Sequence, residues 1–276
     1  MDTIFRSFMP FSVLLSVYYK ENPNFLEQSL LSVFNQTLQP DEVVLIEDGA
    51  LTPELYSVIE KFPKLKIVKL EKNSGLGVAL NEGLKYCSYD IVARMDTDDI
   101  AKPDRFEKQI KFLEENPEID LVGSWIDEFK DDVNNLVSVR SVPEKSDEIY
   151  QYCKNRCPVN HPTVVFRKQA VLKVGGYLTE YFPEDYFLWI RMLMNGSKFY
   201  NFQESLLFFR KSDDTIKKRG GWKYALDEIH IQKKIYGLGF ISFPVFVKNS
   251  FIRFTVRILP LKFRKFVYNK MLRKEY

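Results

Sequence analysis

Through the first hundred residues, short apolar runs alternate with longer amphipathic stretches, and this rhythm constrains the fold more than any other feature. Phe11–Tyr19, Glu42–Glu47, Lys66–Leu70 and Asp90–Met95 have the length and the Val/Ile/Leu content of buried strands. Between them, Asn24–Phe34, Pro53–Lys61 and Gly75–Tyr86 read as helices; in the first, Phe25, Leu26, Leu30 and Val33 fall on one side. Strand–helix–strand units of this size build parallel sheets with right-handed crossovers. The expected fold is therefore α/β, with a Rossmann-like, mostly parallel sheet flanked by helices. Pro103-Asp-Arg105-Phe-Glu107 opens a further helix. Leu121–Phe129, Val159–Arg167 and 198–209 read as strands, and 184–195 and 222–236 as helices. The final forty residues form a helical appendage, interrupted by Pro244 and Pro260.

The 276 residues suit one large domain with an appendage, and 45% hydrophobic content leaves material for a sizeable core. Net charge is only +3, yet it is unevenly spread. Residues 222–276 hold twelve Lys/Arg against three Asp/Glu, whereas the remainder holds 28 basic and 34 acidic side chains. A basic tail on an acidic body points to an anionic partner. Three cysteines (Cys87, Cys153 and Cys157) fit no disulfide framework, and the last two lack the further pair that a zinc site needs. The apolar run from Phe8 contains Pro10 and reads as a strand rather than a leader, and no uncharged stretch is long enough to span a bilayer. Work from the cytoplasmic side is expected.

In a parallel sheet, ligands bind beyond the carboxyl ends of the strands. Polar signatures follow three strands there: Ser16-Val-Tyr18, Asp48-Gly49 and Asp96-Thr97-Asp98-Asp99. Three carboxylates within four residues repel one another unless a cation lies among them, and hard oxygen ligands suit Mg²⁺ or Mn²⁺ shared with phosphates. A solvated loop capping the next helix is the plainer alternative. Arg94 could pair with one of these acids or meet a diphosphate. Asp48 could accept a hydrogen bond from the ring N–H of a base, and Tyr18 could offer a stacking face. Asp185, in Phe182-Pro-Glu184-Asp185, falls at a helix N-terminus, where the dipole favours the ionised carboxylate that a general base requires; an ordinary capping role remains open. His161 is one of two histidines, and Trp189 and Arg191 follow Asp185 on its helix.

In order along the chain, Ser16-Val-Tyr18, Ser29 to Thr37, Ile46-Glu-Asp48-Gly49, Asn73-Ser-Gly75, Arg94-Met-Asp96-Thr-Asp98-Asp99, Pro103-Asp-Arg105, His161-Pro-Thr163, Gly175-Gly-Tyr177, Glu184-Asp185 and Leu188-Trp189-Ile-Arg191 resemble the family 2 glycosyltransferases. Bacterial enzymes building capsule, exopolysaccharide or O-antigen look most similar, over about residues 10–215. The resemblance implies the A-type glycosyltransferase fold and an inverting, single-displacement transfer from a nucleotide-diphosphate sugar, with UDP expected. It implies Ser16, Tyr18, Asp48, Asn73, Arg94 and Asp96 on the donor, and Asp96 and above all Asp98 on Mn²⁺ or Mg²⁺. Asp185 becomes the base, supported by Glu184, with His161, Trp189 and Arg191 as contacts to acceptor or diphosphate. Residues 1–221 would be the catalytic domain, 1–100 serving the nucleotide and 101–221 the acceptor, and 222–276 a basic amphipathic region. Glu47 stands where the family usually has an Asp. The Gln-x-x-Arg-Trp motif of processive enzymes is missing, so a single transfer is expected.

Two rivals remain at this stage. A non-catalytic nucleotide-sugar binder would not need Glu184-Asp185, and a sugar nucleotidyltransferase would carry a Gly-rich loop where Ser16-Val-Tyr-Tyr-Lys-Glu stands. The tail sets Phe243, Val247, Phe251, Phe254 and Ile258 on one helical side, with Lys248, Arg253 and Arg257 elsewhere around it and Lys262, Phe263, Arg264, Lys265, Phe266 and Lys270 beyond Pro260. This pattern suits docking on an anionic membrane, where a lipid-linked saccharide acceptor would be found. Packing of the same aromatics on the catalytic domain is the alternative. Nucleic acid is not expected as a partner, because the rest of the chain is net acidic.

Overall fold

The computed structural model of the chain describes residues 8–179, 183–211, 220–264, 267 and 274–275. Phe182 and, in the tail, Lys265, Phe266 and Lys270 lie outside the described residues. Strands β1 (Phe11–Val17), β2 (Glu42–Glu47), β3 (Leu65–Lys69) and β4 (Ile91–Arg94) alternate with helices α1 (Pro23–Phe34), α2 (Pro53–Ile59) and α3 (Leu76–Tyr86). They pair in parallel in the order β4-β1-β2-β3. Local chemistry sets the helix starts. Asn22 caps α1 by accepting from the Asn24 amide at 2.9 Å, Thr52 caps α2, and each is followed by a proline that needs no donor there.

Side-chain alternation along β1 divides the core in two. Val13 and Leu15 pack with Leu26 and Leu30 of α1 and with Leu55 of α2, whereas Leu14 packs with Ala79, Leu80 and Leu84 of α3 on the opposite face. Both faces of the sheet are thus covered, as parallel strands require.

The second half departs from the expected parallel pattern. Beyond β5 (Ile100–Ala101) and α4 (Arg105–Glu115), the long β6 (Ile119–Lys130) turns back into β7 (Asp132–Arg140) as a hairpin, with Asp131 in the left-handed region. Helix α5 (Ser146–Cys153) follows, and β8 (Val165–Arg167) inserts antiparallel between β4 and β6. After α6 (Lys168–Lys173) and α7 (Glu184–Met194), β9 (Lys198–Arg210) pairs parallel with β6 and antiparallel with β5. The sheet is therefore mixed, parallel only among β1–β4 and between β6 and β9. The strand expected over Val159–Arg167 is shortened, because Pro162 places His161–Thr163 in a single 3-10 turn.

Helices α8 (Trp222–Gly237) and α9 (Phe243–Ile258) pack against each other, and α8 also meets α7. Pro244 lies in the first turn of α9 and starts it rather than interrupting it. Two residues, 274–275, form β10 against β7. Among the described residues no helix is long and apolar enough to cross a membrane.

Candidate active site

The neighbouring strands β4, β1 and β2 run in register, with Leu14 opposite Arg94 and Ser16 opposite Ile46. Their carboxyl ends therefore deliver Asp96–Asp99, Ser16–Tyr18 and Asp48 to one edge. The carboxylates of Asp96, Asp98 and Asp99 have oxygens within 4.8 Å of one another. Main-chain contacts hold this loop on several sides. The Ser29 hydroxyl of α1 donates to the Asp96 carbonyl at 2.8 Å, and the Thr97 hydroxyl donates to the Ser16 carbonyl and to Glu21. From β9, the Arg210 amide donates to Asp99 Oδ1 at 2.9 Å and its Nε to the Asp98 carbonyl at 2.9 Å.

Burial and then the charge of Asp96 push the Asp98 carboxyl up to about 7; burial and then Asp98 and Asp96 hold Asp99 well above the carboxylate range. Asp99 Oδ2 is buried and has no hydrogen-bond partner. A cation would relieve both strains, so the three acids fit a hard divalent metal.

Arg94 lies beneath the loop, buried and ion-paired through Nη2 with Asp96 Oδ1, while its Nε and Nη1 have no partner. Arg105 supports it from α4, donating to the Arg94 carbonyl at 2.7 Å and to Gln109 at 3.0 Å. Burial and the charge of Arg94 lower the Arg105 pKa to about 9.

Asp48 is turned inward more than expected. Its carboxylate accepts from the Ser74 amide at 2.6 Å, the Gly75 amide at 3.0 Å and Asn73 Nδ2 at 3.1 Å. Of about four acceptor positions on a carboxylate, three are taken, and the residue is 3% exposed. It holds the Asn73–Gly75 loop and keeps one lone pair open. Gly49, at φ +84°, lets that loop approach; a Cβ there would lie 2.6 Å from the Asn73 nitrogen. Tyr18 is partly exposed, and its hydroxyl feels the charge of Asp98.

Asp185 and Glu184 occupy the first turn of α7. Asp185 Oδ1 accepts from the Tyr186 amide at 2.7 Å, and Oδ2 lies 3.9 Å from Cys157 Sγ. Burial raises the Glu184 pKa, and its carboxylate also lies within electrostatic reach of Asp185, Arg94 and Asp96. His161 Nε2 lies 2.9 Å from the Tyr177 hydroxyl; burial and then the charge of Arg94 hold its pKa well below the usual value, so the ring is neutral.

Two expected contacts are not met. Trp189 is fully buried against His161, Tyr177 and Phe199 and offers no surface to a substrate. Arg191 donates to the Val174 and Gly176 carbonyls, bracing the turn before Tyr177. The sequence reading missed Glu21, which accepts from Thr97, and Arg210, which reaches the loop from β9. A lone acid or arginine far along the chain carries no local signal of such a role.

Comparison with known proteins identifies the family. The family model described as Glycosyl transferase family 2 matches residues 12–175. A protein of Escherichia coli named UDP-Gal:alpha-D-GlcNAc-diphosphoundecaprenol beta-1,3-galactosyltransferase is 43% identical over 267 residues, covering 96% of this chain and 97% of the relative. The amylovoran biosynthesis glycosyltransferase AmsE of Erwinia amylovora is 41% identical, covering 94% of this chain and 98% of its own. Among solved structures, S. aureus TarS 1–349 in complex with UDP-GlcNAc superposes with a TM-score of 0.62 at 20% identity, over 82% of this chain and 66% of that one. Mannosyltransferase PcManGT from Pyrobaculum calidifontis, in complex with GDP-Man and Mn²⁺, gives a TM-score of 0.58 at 18% identity, over 90% of this chain and 70% of that one. These two likenesses concern the fold.

Proposed function

The chain belongs to glycosyl transferase family 2, and on that premise we propose that it transfers one sugar from a UDP-sugar, with inversion, to a hydroxyl of a lipid-linked saccharide in surface-polysaccharide synthesis. The observation that carries this reading is the convergence of Asp96, Asp98 and Asp99 at the carboxyl ends of the parallel strands, with Glu184, beside Asp185, within electrostatic reach of Asp96. The donor and acceptor classes follow the name of the E. coli relative, which spans nearly the whole chain.

Asp96 and Asp98 would hold Mn²⁺ or Mg²⁺, which when bound supplies charge to the leaving diphosphate. Ser16, Tyr18, the free lone pair of Asp48, and Asn73 receive the nucleoside. Asp185 takes the acceptor hydroxyl's proton as that oxygen attacks the anomeric carbon from the face opposite the diphosphate, which departs with the bonding pair. General-base help of this kind is worth about 10²–10⁴-fold. Glu184 positions Asp185, and Arg94 sets the orientation of Asp96. We read residues 1–221 as the catalytic part and 222–276 as its membrane-facing appendage.

Support for membrane contact comes from α9. Phe243, Val247, Phe251 and Ile258 are all exposed on one side of it, whereas Phe254 is half-buried against Trp222. Arg253 and Arg257 are not part of that outer face; both turn inward to Glu228. The enzyme would thus lie peripherally on the cytoplasmic face, with the aromatic stripe in the interface.

The deciding experiment is incubation with UDP-sugars, Mn²⁺ and a short-chain sugar-diphosphate lipid, following UDP release and the product by NMR. A product of opposite anomeric configuration to the donor is expected, and a retained configuration would overturn the mechanism.

A further inference from the structure

Asp185 also opens onto a cavity of about 150 Å³ between the catalytic body and the C-terminal helices. Arg140, at the end of β7, forms one side with Asp185; Glu228 of α8 and Arg253 and Arg257 of α9 form the other. That is room enough for a phosphate group.

Among the described lining residues, guanidiniums outnumber carboxylates. Arg253 Nη1 donates to Glu228 Oε2 at 2.6 Å and Arg257 Nη2 to Oε1 at 2.5 Å, so two guanidiniums share one buried carboxylate. Arg140 adds a third cation, and no ion pair among the described residues holds it. Only Glu228 and Asp185 oppose these three among the described lining residues. Arginine forks match phosphate oxygens in pairs and shed water more easily than an ammonium does.

We propose that this cavity is a phosphate subsite for the acceptor: Arg140, Arg253 and Arg257 grip the phosphate that links the acceptor sugar to its carrier, which makes α8 and α9 part of the acceptor site. The proposal rests on Asp185 being the base. In a monosaccharide diphosphate, the attacking hydroxyl and the phosphate are one ring apart, so a base and a phosphate grip belong in a single cavity. No covalent step occurs here; the subsite only fixes the hydroxyl against Asp185.

Arg140→Gln is the informative variant, because Arg253 and Arg257 also hold a buried charge and their loss could unfold the helix pair. The intact, metal-free protein in EDTA is titrated calorimetrically with inorganic pyrophosphate, with Asp98→Asn in parallel. Arg140→Gln should weaken binding at least tenfold, Arg140→Lys should restore most of it, and Asp98→Asn should leave it in place. Turnover is then compared on a GlcNAc-diphosphate lipid and on the phosphate-free alkyl glycoside of the same sugar. The wild-type preference for the diphosphate should shrink at least tenfold in Arg140→Gln. Unchanged pyrophosphate binding in Arg140→Gln, or its loss in Asp98→Asn, would place the anion at the donor site and overturn the proposal. If Asp185→Asn turned over normally, Asp185 would lose its role as base, whereas the pyrophosphate titration would report on the arginines alone.

Discussion

Arg210 donates its Nε to the main-chain carbonyl of Asp98, 112 residues earlier in the chain, and stacks its guanidinium 3.9 Å from the Phe25 ring centroid. Its Nη2 also reaches Gln28 Oε1 at 2.6 Å. One buried side chain thus ties α1, the acidic loop and β9 together.

Arg210→Lys keeps the charge but cannot make these contacts at once. Hydrogen bonds to charged groups contribute about 1.5–3 kcal/mol, so a loss of about 2 kcal/mol in stability is expected. Metal-dependent UDP binding should weaken about tenfold as the loop loosens. Calorimetric titration and denaturant melts check both. Lower stability with unchanged UDP affinity would make Arg210 a purely structural brace.

Asp98→Asn should separate stability from function. The Asp98 carboxyl has its folded pKa raised, so its ionised form is penalised by folding as pH rises through about 7. Above that pH in EDTA, Asp98→Asn should melt higher than wild type. It should nonetheless lose metal-dependent UDP binding and transfer, and EDTA should silence the wild-type enzyme until Mn²⁺ or Mg²⁺ is restored. Full wild-type activity in EDTA would remove the metal from the reaction.

For Asp185→Asn, UDP binding should stay near wild type while turnover drops at least about a hundredfold. The amide keeps the shape at the α7 terminus but cannot take a proton. Single-turnover kinetics with saturating donor give the comparison, and a loss confined to KM would argue against a base.

Glu228 supplies a pH dependence of opposite sign. Burial alone would raise its pKa, but Arg253 and Arg257 outweigh burial and hold it below the ordinary carboxylate value. The stability it contributes is present above the unfolded value of 4.5 and is lost as pH falls through the depressed folded value. Glu228→Gln should cost about 3–5 kcal/mol at neutral pH, the usual result of breaking a buried pair. It should also flatten the acid limb of the stability curve, which denaturant melts below about pH 5 would reveal.

Membrane contact is tested by Val247→Glu with Phe251→Glu. Both side chains are exposed, so stability should shift by less than about 0.5 kcal/mol. Co-sedimentation with anionic vesicles should fall sharply. Deleting the tail is a poorer test, since it would strip Arg253 and Arg257 from buried Glu228.

The parallel half of the fold was legible because buried strands and amphipathic helices write their period locally. β2 has the bounds its Val/Ile run predicts, and α1 ends at the expected Phe34. β7 escaped notice because Asp-Val-Asn-Asn-Leu-Val-Ser-Val-Arg is half polar and buries only one side chain fully; its pairing with β6 makes it a strand. At the site, the position of Asp96–Asp99 followed from strand order alone. The inward turn of Asp48, the burial of Trp189 and the carbonyl contacts of Arg191 did not, since each depends on what tertiary packing brings alongside. Arg210 reaches the acidic loop, and Arg140 the cavity beside Asp185, from elements far along the chain, where a single arginine looks like any other.

The pairing of β5 with β9, Ile100 opposite Phe208, also bears on the order in which the molecule is assembled. The four parallel strands all lie before residue 95, whereas β9 begins only at Lys198. The brace on the acidic loop waits for Arg210, 111 residues after the Asp99 it binds. On a ribosome, the parallel half can fold while β9 is still unmade. Until that strand docks, the loop lacks its clamp, and a chain cut short before Lys198 should be well folded over β1–β4 yet hold a metal only loosely.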